Sequence, residues 1–172
     1  MQGFVSHEIL QEINKTKTVK LQVNLTDQLH MSSLYVEQFP DNLRRLDVVT
    51  NKGDVLKEEF FTSLRKRCTV LKTLHMNNFP PHGLHPLKDM DDLEKVFIKV
   101  DKPEEFFAKE NIPQILDLKR VRKIVVSYPK ESSSWKLSSD VRKLLVKKFM
   151  VDLNNPIRGD KSVQLRKRAV PC

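Results

Sequence analysis

Apolar and polar residues recur along this chain with a fixed phase. In Leu43-Arg44-Arg45-Leu46-Asp47-Val48 the apolar residues hold positions 1, 4 and 6, and five other stretches follow the same rule. They are Thr18-Val19-Lys20-Leu21-Gln22-Val23, Leu71-Lys72-Thr73-Leu74-His75-Met76, Leu93-Glu94-Lys95-Val96-Phe97-Ile98, Val121-Arg122-Lys123-Ile124-Val125-Val126 and Val146-Lys147-Lys148-Phe149-Met150-Val151, with Thr18 the one departure. Their first positions are separated by 25, 28, 22, 28 and 25 residues. Alternation of this kind predicts strands with one buried face.

Between the strands the apolar period lengthens to that of helices. Leu56, Phe60, Phe61 and Leu64 form a stripe over 55–67, with Asp54 as N-cap, Glu58 and Glu59 early and Arg65, Lys66 and Arg67 late. That charge order complements the helix dipole. Asp101 begins a second helix, where Glu104-Glu105-Phe106-Phe107 echoes Glu58-Glu59-Phe60-Phe61. Ser138 or Ser139 caps a third over 140–148, with Val141, Leu144, Leu145 and Phe149 buried. Ser6 caps a short helix over 6–15. Three prolines in 77–86 forbid a regular helix there and predict a loop.

Strands alternating with helices imply an α/β protein with a parallel sheet, and spacings of 20–29 residues fall in the leucine-rich-repeat window. The expected architecture is a short leucine-rich-repeat solenoid of about six irregular strand–helix or strand–loop units with a curved parallel sheet. It occupies 16–154, behind an N-terminal capping helix at 1–15. The segment 155–172, polar and basic through Arg158, Lys161, Arg166, Lys167 and Arg168, is expected to be a disordered tail.

From Phe39 to Asn78 a strand, a helix and the phrase Cys68-x-x-Leu71-x-x-Leu74 follow one another. This stretch resembles the leucine-rich-repeat portion of F-box/leucine-rich-repeat proteins. The resemblance implies a substrate-recruiting subunit of a cullin-based ubiquitin ligase. The F-box of such proteins is a separate N-terminal helical module, and residues 1–15 are too short for one, so ligase subunits are expected as partners only if an F-box is supplied elsewhere.

Composition narrows the chemistry. Four glycines against nine prolines disfavour a glycine-rich phosphate loop. The chain shows no nucleophile elbow and no metal motif. His75, His82 and His85 near Cys68 match no structural zinc spacing, and Cys68 reads as a small buried hydrophobe where helix meets strand. Neither an enzyme nor a cofactor is expected. Two cysteines, Cys68 and the terminal Cys172, give no disulfide framework and fit a reducing compartment. Neither a secretory signal nor an apolar run of membrane-spanning length is evident, so Asn14-Lys15-Thr16 and Asn24-Leu25-Thr26 read as chance sequons and the expected location is cytoplasm or nucleus.

Thirty-one Lys and Arg against 22 Asp and Glu give a net charge of +9, which attracts nucleic acid, anionic lipid or an acidic protein. If positions 1, 4 and 6 face the core, positions 3, 5 and 7 face outward. The candidate partner-binding residues are therefore Lys20, Gln22, Arg45, Asp47, Thr73, His75, Lys95, Phe97, Lys99 and Lys123. Position 3 supplies a basic column, roughly 20 Å long at a strand spacing of about 4.8 Å. Arg45 suits a bidentate contact and Phe97 an apolar anchor. An acidic or phosphorylated protein segment is the expected partner. The alternative is a basic repeat protein binding RNA or another nucleic acid, although aromatics are not interleaved with the cations as RNA recognition favours.

Overall fold

The computed structural model describes residues 19–25, 36–51, 53–54, 56–132, 134–153 and 160–168. The strands are β1 (Lys20–Leu25), β2 (Arg45–Thr50), β3 (Thr73–Met76), β4 (Lys95–Lys99), β5 (Lys123–Tyr128), β6 (Phe149–Asp152) and β7 (Lys161–Lys167). The helices are α1 (Glu58–Arg67), α2 (Leu84–Leu87), α3 (Pro103–Phe106), α4 (Ile112–Leu116) and α5 (Ser139–Leu145). One seven-stranded sheet has the order β1-β2-β3-β4-β5-β7-β6. The first five strands are parallel, and β7 runs antiparallel to both β5 and β6.

Parallel strands in sequential order need crossovers that all return on one side of the sheet. The side that receives them is set by the apolar residues. Leu46 and Val48, Leu74 and Met76, Val96 and Ile98, and Ile124 and Val126 point into one cluster with Phe60, Phe61 and Leu64 of α1, Leu84 of α2, Phe106 of α3, Ile115 of α4 and Leu145 of α5. The residue three places before position 1 is buried in four successive units: Pro40, Cys68, Met90 and Leu118. The pairing offsets between β1 and β5 are 25, 28, 22 and 28 residues, the same steps as in the apolar pattern.

The entry to each strand repeats as well. The amides of Arg44 and Arg45 both donate to the Val19 carbonyl, those of Lys72 and Thr73 to Arg44, those of Glu94 and Lys95 to Lys72, and those of Arg122 and Lys123 to Glu94, all at 2.8–3.1 Å. Each strand is thus seated on the one before it by a shared acceptor. At the exit of β3 a side chain does the same work. Asn77 accepts from the Thr50 amide at 2.7 Å and donates to the Thr50 carbonyl at 2.8 Å, which continues the β2–β3 ladder beyond the last backbone pair.

Several expectations need correction. The stretch 146–151 does not add a sixth parallel strand beside β5. Val163 and Leu165 of β7 fill the core there instead, and β6 is the outermost strand of that side, bonded to β7. The same strand replaces the expected disordered tail over 161–167. Asp54 and Asp101 are not N-caps. Lys57 precedes α1 without a side-chain cap bond, and Pro103 at the first position of α3 leaves Lys102 in a non-helical conformation as its cap. Ser138 does cap α5, accepting from the Val141 amide at 3.3 Å. The 77–86 loop contains a 3-10 turn at Pro81–Gly83 followed by α2. Pro86 is tolerated because the first amides of a helix have no acceptor within it. The expected helix at 6–15, Thr18, most of 26–39, and Cys172 lie outside the described residues.

Candidate functional site

The face opposite the helices is built from the outward positions of the strands. Register aligns Lys20, Arg45, Thr73, Lys95 and Lys123 as one row across β1 to β5, and Gln22, Asp47, His75, Phe97 and Val125 as the next. Lys99 and Ser127 continue into a third row. β7 extends all three, with Arg166 opposite Lys123, Gln164 opposite Val125 and Ser162 opposite Ser127. The ten candidate residues therefore share one face. Six of them, Gln22, Arg45, Asp47, His75, Phe97 and Lys99, line an open cavity of about 630 Å³, together with Val49, Asn77, Val125 and Ser127. Lys20, Thr73, Lys95 and Lys123 lie outside its lining, toward the strand entries.

The centre of the cavity is a coupled set of side chains. Arg45 donates to Asp47 through Nε at 3.0 Å and Nη2 at 3.1 Å, a bidentate pair formed along its own strand. His75 Nδ1 lies 4.0 Å from the same carboxylate, and its ring stacks on Phe97 with centroids 4.3 Å apart and planes 23° apart. Burial holds the His75 pKa below its ordinary value of 6.5, opposed by Asp47 and reinforced by Arg45 and Lys20. Phe97 is half-buried and belongs to this face, not to the core cluster. Lys123 Nζ sits 5.6 Å from the Phe97 ring centroid, a cation–π distance.

The basic column is consequently uneven. Arg45 is engaged with Asp47 and Thr73 carries no charge, while in the third row Lys99 Nζ pairs with Asp160 Oδ2 at 2.7 Å. Arg166, expected in a disordered tail, instead stands next to Lys123. A signal for it existed in the alternation Ser162-Val163-Gln164-Leu165-Arg166, but two apolar residues beside a run of cations are a weak mark of a strand. His82 and His85 do not join His75; His82 Nε2 lies 2.9 Å from the Leu56 carbonyl oxygen. Among the described residues no three His, Cys, Asp or Glu side chains are grouped to hold a metal ion, and no helix is long and apolar enough to cross a membrane.

No protein-family model matches the chain, and no curated protein is significantly similar to it.

Proposed function

We propose that this chain is a non-catalytic, leucine-rich-repeat type module whose open face binds a protein partner through an acidic or phosphorylated segment, as in the substrate-recognition part of a ubiquitin-ligase adaptor. The observation that carries the reading is the cavity on the face opposite the described helices, lined by in-register outward residues of successive strands. Outward positions of the sheet that stay partly exposed, such as Arg45, His75, Phe97 and Lys99, are left to recognition, while Val125 beside them is buried. The constant strand-entry hydrogen bonds and the 22–28 residue offsets support the repeat reading. Ligase subunits would be engaged through an F-box, in cytoplasm or nucleus.

Capture from cell extract tests this reading. Wild type is compared with a Lys20→Glu, Lys95→Glu, Lys123→Glu, Arg166→Glu variant by quantitative mass spectrometry; Arg45 is spared because its loss strands Asp47. The expected result is loss of a discrete set of acidic or phosphorylated proteins from the variant. An unchanged set overturns the reading. So does bound material that disappears on nuclease treatment and falls steeply with salt, which instead marks a nucleic-acid binder.

A further inference from the structure

We propose that Lys95, Lys123 and Arg166 form a phosphate-binding subsite for a phosphorylated peptide side chain, with an apolar peptide residue two positions away resting on the His75–Phe97 pair. The inference rests on the partner-binding reading and narrows it to one chemistry and one place. The three residues are register partners on β4, β5 and β7, so they project side by side from the open face. Neighbouring strands lie about 4.8 Å apart, which puts the three Cα atoms within roughly 10 Å.

What distinguishes this trio from the other cations on the face is that its members stand on adjacent strands and none has a counter-charge; Lys20 also forms no ion pair among the described residues, but it stands apart on β1, beyond Arg45. Arg166 Nη2 lies 3.4 Å from the Gln164 amide oxygen, and Lys123 leans over the Phe97 ring. Among the described residues no carboxylate forms an ion pair with Lys95, Lys123 or Arg166. The nearest on this face by register is Asp152, opposite Gln164 and one row away. Two ammonium groups and a guanidinium held this close repel one another until an anion enters. A carboxylate supplies one charge and two oxygens, whereas a phosphomonoester supplies about −1.5 to −2 and three acceptor oxygens. The dianion matches three neighbouring cations better, and the planar guanidinium can take two oxygens at once.

The length of the cluster selects among phosphate carriers. Toward β3 the row continues through neutral Thr73 and ion-paired Arg45 before reaching Lys20 on β1, so the uncompensated charge is contiguous over three strands and then interrupted for two. A nucleic-acid backbone needs a longer track of cations; a single phosphorylated side chain does not. Beside the cluster, the next row begins with Phe97 stacked on His75 at the edge of the cavity. The two rows are two residues apart along each strand, or about 6.6 Å, and an extended peptide presents residues two apart to the same side at the same interval. An apolar side chain there meets aromatic surface while the phosphate meets the cations.

The test uses the full chain and an oriented peptide library with a fixed central phosphoserine, read by fluorescence polarisation. Parallel libraries carry serine or glutamate at the centre, and a further arm offers vesicles of phosphatidylcholine with a phosphoinositide. Phosphoserine peptides with Leu, Phe or Met two positions away are expected to bind at least about tenfold tighter than the serine and glutamate forms. Lys95→Gln with Arg166→Gln should abolish that preference, Phe97→Ala should abolish the apolar selection, and Lys143→Gln on α5 should change neither. Equal thermal melts for all variants establish that each is folded. Glutamate peptides binding as well as phosphoserine peptides overturn the phosphate subsite but leave an acidic partner standing. Binding to vesicles in preference to any peptide overturns the choice of carrier, and no binding to any charged peptide overturns both the subsite and the partner reading.

Discussion

Gly83 shows how little room one residue can have. A Cβ added there would meet Phe61 Cζ at 2.7 Å and two further ring atoms at 2.9 and 3.0 Å. Phe61 is fully buried and packs edge-on against Phe60 and Phe79, so its ring has no free direction in which to move. Gly83→Ala should therefore destabilise the protein by about 1–3 kcal/mol in urea unfolding, although alanine favours helix over glycine. Cys68 is the opposite case, a residue whose environment was readable in advance. It is fully buried at the end of α1, and burial pushes its thiol up to about 12 from 9.0, with Asp41 adding to this and Arg67 opposing it. In a Cys172→Ser variant, Cys68 should resist a thiol reagent at pH 8 and react only on unfolding. The folded state keeps its proton over the range in which the unfolded thiol loses it. Stability from this group is thus complete below about pH 9 and falls as the pH rises toward 12. Denaturation midpoints measured from pH 8 upward for wild type and Cys68→Ala should converge as the pH rises. The contrast has a physical cause: a small residue between a helix stripe and a strand is marked by its neighbours in sequence, whereas the clash at Gly83 depends on a ring more than twenty residues away.

At the scale of elements, strand exits and edges carry more than their own residues suggest. Asn77 substitutes its amide for the missing backbone pair at Thr50, and Asn78, with φ at 49°, turns the chain away while its amide donates to Thr50 Oγ1 at 3.1 Å. Asn77→Ala leaves both polar groups of Thr50 without their partner and should cost about 1–3 kcal/mol. Asn78→Gly should cost less than Asn78→Ala, because glycine accepts a positive φ; thermal melts of the pair check this. β7 holds β5 and β6 together, so Leu165→Ala, which opens a cavity in the core, should cost about 2–5 kcal/mol and expose the amides of β6 to hydrogen exchange along with those of β7. The five parallel strands are legible because Leu43, Leu46 and Val48 and their counterparts leading into β3, β4 and β5 are buried by the same rule, as are Leu21 and Val23 in β1. β7 was not, because its two apolar residues are sufficient only once β5 is there to pair with. The aspartates are poor guides to the helix starts, since α1 begins at Glu58, four residues beyond Asp54, and Pro103 opens α3 with Lys102 as its cap.

For the molecule as a whole, the charge of +9 is less informative than where charge is left unpaired. On the open face Arg45 with Asp47 and Lys99 with Asp160 place cations against carboxylates. Such surface pairs contribute little stability individually, but they withdraw charge from the open face. Association of a phosphoserine peptide should weaken as salt rises, with a slope far smaller than a multi-phosphate track would give; binding isotherms at two ionic strengths measure it. The candidate face itself was legible from periodicity alone, because outward positions are fixed once inward ones are known. Its electrostatics were not, since the Arg45–Asp47 chelate and the Lys99–Asp160 pair are decided by side-chain geometry across and along strands. The placement of β7 has one more consequence, for a chain made from its first residue onward. Strands β1 to β5 can each dock as they emerge, but β5 presents a bare row of amides and carbonyls, and β6 has nowhere to attach, until residues 161–167 have been synthesised. The nascent protein therefore passes through an interval with a sticky flank, in which pairing with another growing chain competes with its own completion.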